Sequence, residues 1–288
     1  MPAFEIEAID AAFGAVVDGV EIRELDDETF RAVHDAWVEH GLLVFPGQHL
    51  TRPEQDDFAR RFGDLEFEAT PLTNIRRDGS LRGDPDDPLV QSLRGNEGWH
   101  HDSTYMPVQA KGAVFSAEVV PTIGGDTGFA DMRAAYDALD DSTRTAVADL
   151  RAHHSRRYSM ERAGNDVSPD DAGRYQLYGY DVDEPPLRPL VKVHPDTGRP
   201  NLLIGQHAYG IEGLDDEESA ALLDRLNADA CAPPRTYFHA WTEGDVVLWD
   251  NRRLMHCATP HDPGQPRRMW HTRIAGDPAT EAAINHPN

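Results

Sequence analysis

Two fragments constrain this chain more than any other feature. They are Trp99-His100-His101-Asp102 and Trp249-Asp250-Asn251-Arg252-Arg253-Leu254-Met255-His256, and Asp102 and His256 lie 154 positions apart. Together they offer His-x-Asp and one distant histidine. That is the ligand set of a non-haem Fe(II) centre, with two imidazoles and a carboxylate on one face of the metal. The other face stays open for an oxidant and a co-substrate. In an extended segment, side chains i and i+2 point to the same side. His100 and Asp102 can therefore reach one ion while His101 points away, and His256 joins them from a second strand.

His-x-Asp alone is a weak signal. With 14 histidines in 288 residues and aspartate abundant, chance supplies such matches, and the sequence holds two. The second is His194-Pro195-Asp196, within Val191-Lys192-Val193-His194-Pro195-Asp196-Thr197-Gly198-Arg199. Pro-Asp-Thr-Gly between apolar runs is turn chemistry, which places that copy at a hairpin tip.

The rest of the chain reads as α+β. Residues 26 to 40 form a helix with Phe30, Val33 and Trp37 as its apolar stripe and Gly41 as its stop. Leu42-Leu43-Val44-Phe45 is a short buried strand. Thr51-Arg52-Pro53-Glu54 is a capping box that opens a helix ending near Gly63. Helices are expected over 141 to 157 and 214 to 230. Strands are expected over 112 to 121, 189 to 193, 201 to 205, 235 to 241, 245 to 250 and 267 to 275. Short strands bounded by turn signals suggest a β-sandwich or jelly roll. Residues 70 to 98 and 158 to 187 are polar and read as long loops, the kind that serve as lids. Length and the lack of a linker or repeat fit one domain over 1 to 288.

Charge narrows the partners. Asp and Glu total 51 against 27 Lys and Arg, a formal net charge of −24. Only Lys111 and Lys192 are lysines. Such a surface repels nucleic acid and anionic membranes. The acid excess suggests a protein adapted to a salt-loaded cytoplasm, where screening shortens repulsion to about 3 Å at 1 M. Two cysteines are too few for a disulfide framework, no signal peptide or transmembrane run is visible, and a reducing cytoplasm is expected.

Several further stretches carry a resemblance. Gly124-Gly125-Asp126-Thr127 follows the strand-like segment from Gly112, and Ala134-Ala135-Tyr136-Asp137-Ala138-Leu139 comes next. Then come Trp249-Asp250-Asn251, His256, and Arg267 eleven residues beyond it. This order resembles the taurine dioxygenase / 2,4-dichlorophenoxyacetate dioxygenase family, from about residue 5 to about 277. It is most similar to the branch acting on (S)-2-phenoxypropionates and related aryloxyalkanoates. The stretches Phe45-Pro46-Gly47-Gln48-His49-Leu50, Asp102-Ser103-Thr104-Tyr105-Met106-Pro107, Phe129-Ala130-Asp131-Met132-Arg133 and Met269-Trp270-His271 carry that finer likeness.

The resemblance implies a double-stranded β-helix (jelly roll) with flanking helices, and an Fe(II)- and 2-oxoglutarate-dependent dioxygenase. It implies iron held by His100, Asp102 and His256. It implies a distal 2-oxoglutarate carboxylate held by Arg267 and the Thr127 hydroxyl, with adjacent Arg268 as the rival register. Guanidinium suits this task because it pairs with carboxylate bidentately. Retention of Asp102 implies hydroxylation and not halogenation. For the substrate, Asn96, His271 and Arg273 are candidates, with Arg273 divided between a substrate carboxylate and a structural ion pair. His271 stands where taurine dioxygenase has a substrate arginine, and Glu68 or a near neighbour stands where it has a histidine, so a sulfonate is disfavoured. Met269-Trp270-His271 and the 103 to 107 stretch are expected to supply apolar walls. The implied partners are a small carboxylic acid and O2, with a possible homo-oligomer. The rivals are a taurine-type or other small-acid dioxygenase, a zinc hydrolase on the same triad, and a non-catalytic jelly-roll binding protein.

Overall fold

The computed structural model describes residues 4–84, 86–164, 178–180 and 182–287. Most of the expected second lid, Tyr175 included, lies outside the described residues. The chain opens with strands β1 (Glu5–Ala8) and β2 (Ala15–Asp18), which were not anticipated, followed by helix α1 (Asp27–His40). Asp26 caps α1 by accepting from the Thr29 N–H, and Gly41 ends it at φ 76°. Val33 and Trp37 on its apolar stripe are buried. Strand β3 (Leu42–Phe45) and helix α2 (Arg52–Arg60), with its Thr51/Glu54 capping box, follow as the sequence predicts.

The expected loop over 70 to 98 needs correction. Strand β4 (Leu65–Thr73) runs into it, and helix α3 (Pro88–Arg94) with a 3-10 turn (Gly95–Glu97) closes it. The alternation in β4 is masked by its nearly uniform half-burial. Next come β5 (Gly112–Val119), β6 (Thr127–Asp131), α4 (Met132–Asp137) and α5 (Asp141–Val147). The helix expected over 141 to 157 breaks there. Strand β7 (Arg151–His154) takes its place, with Ala152 and His154 inward, and Ser155 caps a new helix α6 (Arg156–Arg162). Sheet pairing overrides helix propensity at this point.

The second half contains β8 (Leu187–Pro189), β9 (Val191–Val193), β10 (Pro200–Leu202), β11 (Ala208–Tyr209) and helix α7 (Asp216–Ala230). It ends with β12 (Thr236–His239), β13 (Val246–Asp250), β14 (Leu254–Ala258), β15 (Arg268–Ile274) and α8 (Pro278–Glu281). Strands β9 and β10 form an antiparallel hairpin, with His194-Pro195-Asp196 in its connection. Among the described residues, no helix is long and apolar enough to cross a membrane.

A seven-stranded sheet has the order β1-β2-β3-β13-β5-β15-β4, and a three-stranded sheet has the order β12-β6-β14. The inward faces of the two sheets meet in one cluster. Ala113, Phe115, Val247, Trp249 and Met269 come from the larger sheet, and Phe129 and Leu254 from the smaller. Truncating a side chain such as Phe129, which is fully buried, costs about 3–5 kcal/mol in cores of this kind. Helices α1 and α2 cover the outer face of the large sheet through Val33, Trp37, Phe58 and Ala59. Helix α7 packs on a separate cluster with α4 and β10. The site opens at one end of the space between the sheets.

Candidate active site

The two fragments do meet. His100 pairs with His256 across an isolated antiparallel bridge, with N–H···O distances of 3.0 and 2.8 Å. This lengthens the small sheet beyond β14 and sets the two imidazoles side by side, ring centroids 4.3 Å apart. The expected strand through Asp102 is not present: the chain turns at 102–105, and Ser103 adopts φ 56°. A non-glycine residue in that region is strained and is tolerated where neighbours enforce it. The i, i+2 logic still holds, since His100 and Asp102 converge while His101 turns away to donate from Nδ1 to the Asn251 carbonyl at 2.7 Å.

Asn251 does more than its place in the motif revealed. Its side-chain oxygen accepts from the Asp102 N–H at 2.7 Å, and its amide donates to the carbonyls of Asp102 and Ala110, each at 2.9 Å. One buried amide thus ties the loop bearing Asp102 to the end of β13. Trp249 packs 4.8 Å from the His256 ring and stacks on His271 at 5.6 Å.

These residues fit a metal. One ligand atom each from His100, Asp102 and His256 lies within 4.8 Å of the others. His100 bonds the Gly98 carbonyl through Nδ1 at 2.7 Å. A carbonyl only accepts, so Nδ1 carries the proton and Nε2 keeps a lone pair for an ion. Burial lowers the pKa of both His100 and His256, which favours the neutral, ligating form. Asp102 Oδ2 is buried with no hydrogen-bond partner. Such an orphaned oxygen is costly unless something else binds it. Burial pushes the Asp102 carboxyl up, but Arg273, His256 and His271 together outweigh it and hold the group well below the usual carboxylate range. Burial lowers the pKa of both His256 and His271, which leaves the Arg273 guanidinium as the permanent charge beside Asp102.

Strand β15 supplies the rest by alternation. Arg267, Met269, His271 and Arg273 are buried, whereas Arg268 bonds Glu118 at 2.8 Å on the outer face. Arg267 is the inward arginine. Its Nη2 donates to the Gly125 carbonyl at 3.1 Å, and its Nε is buried without a partner. Burial lowers its pKa to about 10. Gly125 sits at φ 77°, and a Cβ there would come within 3.2 Å of Arg267 Nε. This is a physical reason for the Gly-Gly before Asp126-Thr127. Thr127 accepts from Trp241 Nε1 at 3.0 Å, which leaves its own proton to donate elsewhere.

Both Thr127 and Arg267 line the same cavity as the three candidate ligands, together with Asn96, His271 and Arg273. The walls are Leu72, Val90, Phe115, Met160 and Trp249. The expected walls are partly wrong. Met269 packs between the sheets, and Trp270 faces outward beneath Arg52. Of the 103 to 107 stretch, only Tyr105 lines the cavity. Glu68 pairs with Arg60 on the exterior at 2.8 Å. Arg273 displays the ion pair: it donates to Asp102 Oδ1 at 2.6 Å and to Ser103 Oγ at 2.9 Å. Arg94, Arg156, Gln206 and His207 also line the cavity and were missed. They come from elements with no motif of their own, so only the folded chain brings them in.

A buried two-histidine, one-carboxylate face beside an under-satisfied arginine defines a non-haem metal dioxygenase that uses a dicarboxylate co-substrate. Comparison with known proteins agrees. Residues 5–273 match the model described as taurine catabolism dioxygenase TauD, TfdA family, and the chain belongs to that family. It is an Fe(II)- and 2-oxoglutarate-dependent dioxygenase. It is 58% identical over 286 residues to an (S)-phenoxypropionate/alpha-ketoglutarate-dioxygenase of Sphingobium herbicidovorans, covering 99% of each chain. It is 51% identical to a protein of the same description from Delftia acidovorans, covering 97% of each. Among solved structures, AAD-2 in complex with Mn(II) and N-oxalylglycine superposes with a TM-score of 0.89 at 35% identity, over 98% of this chain and 99% of that one.

Proposed function

We propose that this enzyme oxidises a small aryloxyalkanoic acid, with an (S)-2-aryloxypropionate as the substrate class. The observation that carries the reading is the 58% identity, over nearly the full length, to a relative described by that activity. The cavity supports it: apolar walls with a few convergent polar groups suit an amphiphile whose ring is desolvated and whose carboxylate is pinned.

His100, Asp102 and His256 would hold the iron. Bound iron supplies the O2 activation that couples 2-oxoglutarate breakdown, to succinate and CO2, with substrate oxidation. Arg267 and Thr127 bind the distal carboxylate of 2-oxoglutarate, one through its charge and the other through a hydroxyl oriented by Trp241. Asn96 and His271 contact the substrate. Hydroxylation of the carbon bearing the ether oxygen gives a hemiketal, which collapses to a phenol and pyruvate. The two facing sheets support a jelly-roll arrangement within a single domain, and the segment from Leu72 to Asn96 supports a cover over the cavity.

The test is phenol and pyruvate release from the two enantiomers of a 2-(aryloxy)propionate, with taurine as a competing co-substrate. Faster turnover of the (S) form is expected. Faster turnover of taurine than of either enantiomer would sink the substrate class and leave the 2-oxoglutarate assignment standing.

A further inference from the structure

We propose that Arg273 is a positioning residue of the metal site, occupying Oδ1 of Asp102 so that the carboxylate meets an ion through Oδ2 alone. The two oxygens of Asp102 are in opposite situations. Oδ1 accepts from Arg273 Nη2 at 2.6 Å. Oδ2 is buried, makes no well-aligned hydrogen bond among the described residues, and faces two imidazoles, His271 Nε2 at 3.4 Å and His256 Nε2 at 3.7 Å. A carboxylate with both oxygens available can chelate an ion through two atoms. Here one oxygen is already committed.

Arg273 is itself held in place. It is 3% exposed, its guanidinium lies over the Phe67 ring at 4.6 Å, and Nη1 donates to Ser103 Oγ at 2.9 Å. The Ser103 hydroxyl in turn donates to Glu66, whose carboxylate also accepts from the Tyr178 hydroxyl. Glu66 lies 3.8 Å from Arg273 Nε and is a competing anion among the described residues. Its oxygens are engaged by Ser103 and Tyr178, so the shortest contact of the guanidinium goes to Asp102. The φ of 56° at Ser103 places the hydroxyl between the two partners. Local backbone strain at this turn therefore serves a specific contact.

The consequence concerns open positions. A face of three protein ligands leaves three sites on a six-coordinate metal. A two-atom carboxylate would consume one of them. Holding Asp102 to one oxygen keeps all three available, two for a chelating 2-oxo acid and one for O2. Lysine cannot substitute, because one ammonium cannot reproduce the fork that reaches Oδ1 and Ser103 together.

The test uses the full chain and Co(II) as the probe, with no organic substrate, so it does not depend on the substrate class. Arg273→Met and Arg273→Lys are titrated beside the parent and beside Arg268→Met, which alters the outer face of the same strand. Affinity for Co(II) should change about ten- to hundred-fold in both Arg273 variants. Their visible d–d absorption should change as the carboxylate gains a second contact. Arg268→Met should match the parent in both readouts. A variant at 273 that melts cooperatively and keeps the parent's affinity and spectrum would overturn the proposal. So would a loss of affinity with an unchanged spectrum, which a packing role alone predicts. If Arg273→Met fails to fold, Arg273→Lys decides by the same criteria.

Discussion

Arg267, one residue before β15, and Arg273, near its end, line the same cavity, yet their surroundings differ. Arg273 makes hydrogen bonds of 2.6 and 2.9 Å to a carboxylate and a hydroxyl of its own chain. Arg267 has one bond of 3.1 Å to a backbone carbonyl, and no carboxylate among the described residues is paired with it. Burial lowers its pKa to about 10, with only Asp126 opposing that shift. Fold stability alone does not favour a buried cation left in this state. On the proposed function, the difference separates an arginine that builds the site from one that waits for an anion. Arg253 belongs with the builders: it bonds both oxygens of Asp131, at 3.1 and 2.6 Å, and the Glu39 carbonyl at 2.8 Å.

The comparison assumes a metal centre that both arginines serve. His256→Ala should therefore have the largest effect, reducing Fe(II) binding and substrate-coupled succinate formation to background. Full activity in that variant would remove the frame for both arginines.

A builder should be needed for folding. Arg253→Met strips the partner from Asp131, which is 1% exposed, and should destabilise the chain by about 3–5 kcal/mol in denaturant melts. A loss under about 1 kcal/mol would show that a satisfied buried arginine is dispensable, and the contrast would collapse.

A waiting cation should behave the other way. Arg267→Ala should weaken 2-oxoglutarate binding by about 2–5 kcal/mol, while the melting temperature of the ligand-free protein stays level or rises. Arg268→Ala, an exposed pair, should change either quantity by no more than about 1 kcal/mol. If the two variants exchange phenotypes, the register of β15 relative to the co-substrate is wrong by one residue. The same contrast can be read without kinetics. 2-Oxoglutarate with Mn(II) at about 100 times its Kd should stabilise the parent by about 2.7 kcal/mol, and that increment should be lost in Arg267→Ala.

The smallest effect concerns the surface and not the site. A net charge of −24 implies self-repulsion that salt screens. The melting temperature should rise by a few degrees between dilute buffer and about 2 M KCl. No rise would count against a salt-adapted surface, and the two arginines would be unaffected, being shielded from bulk ions.

Much of this molecule could be read locally. Helix α1, strand β3 and the α2 capping box depend on caps, stops and apolar spacing that operate within a few residues, and all three stand where the pattern places them. His100, Asp102 and His256 were legible because metal chemistry demands those residue types at a recognisable spacing. Arg267 was legible through the family resemblance, with Arg268 as its rival until the structure turned Arg268 to the outer face. Three readings failed for a shared reason. The local pattern predicts a loop where the end of β4 runs, a helix where β7 lies, and cavity walls from Met269-Trp270. In each case the deciding contact comes from a strand distant in sequence, and a half-buried or mixed pattern does not say which neighbour will cover it.

The sequence by itself pointed to the three candidate ligands and, through the family resemblance, to the class of chemistry and to Arg267 as the candidate for the co-substrate, because these rest on the kinds of atoms present and their order along the chain. Only the tertiary structure decided how the ligands are held. The His100–His256 bridge, the Asn251 clamp and the commitment of Arg273 to one oxygen of Asp102 all join residues more than 140 positions apart. Hydrogen bonds act over about 3 Å, and such distances between remote residues exist only once the sheets have closed on each other.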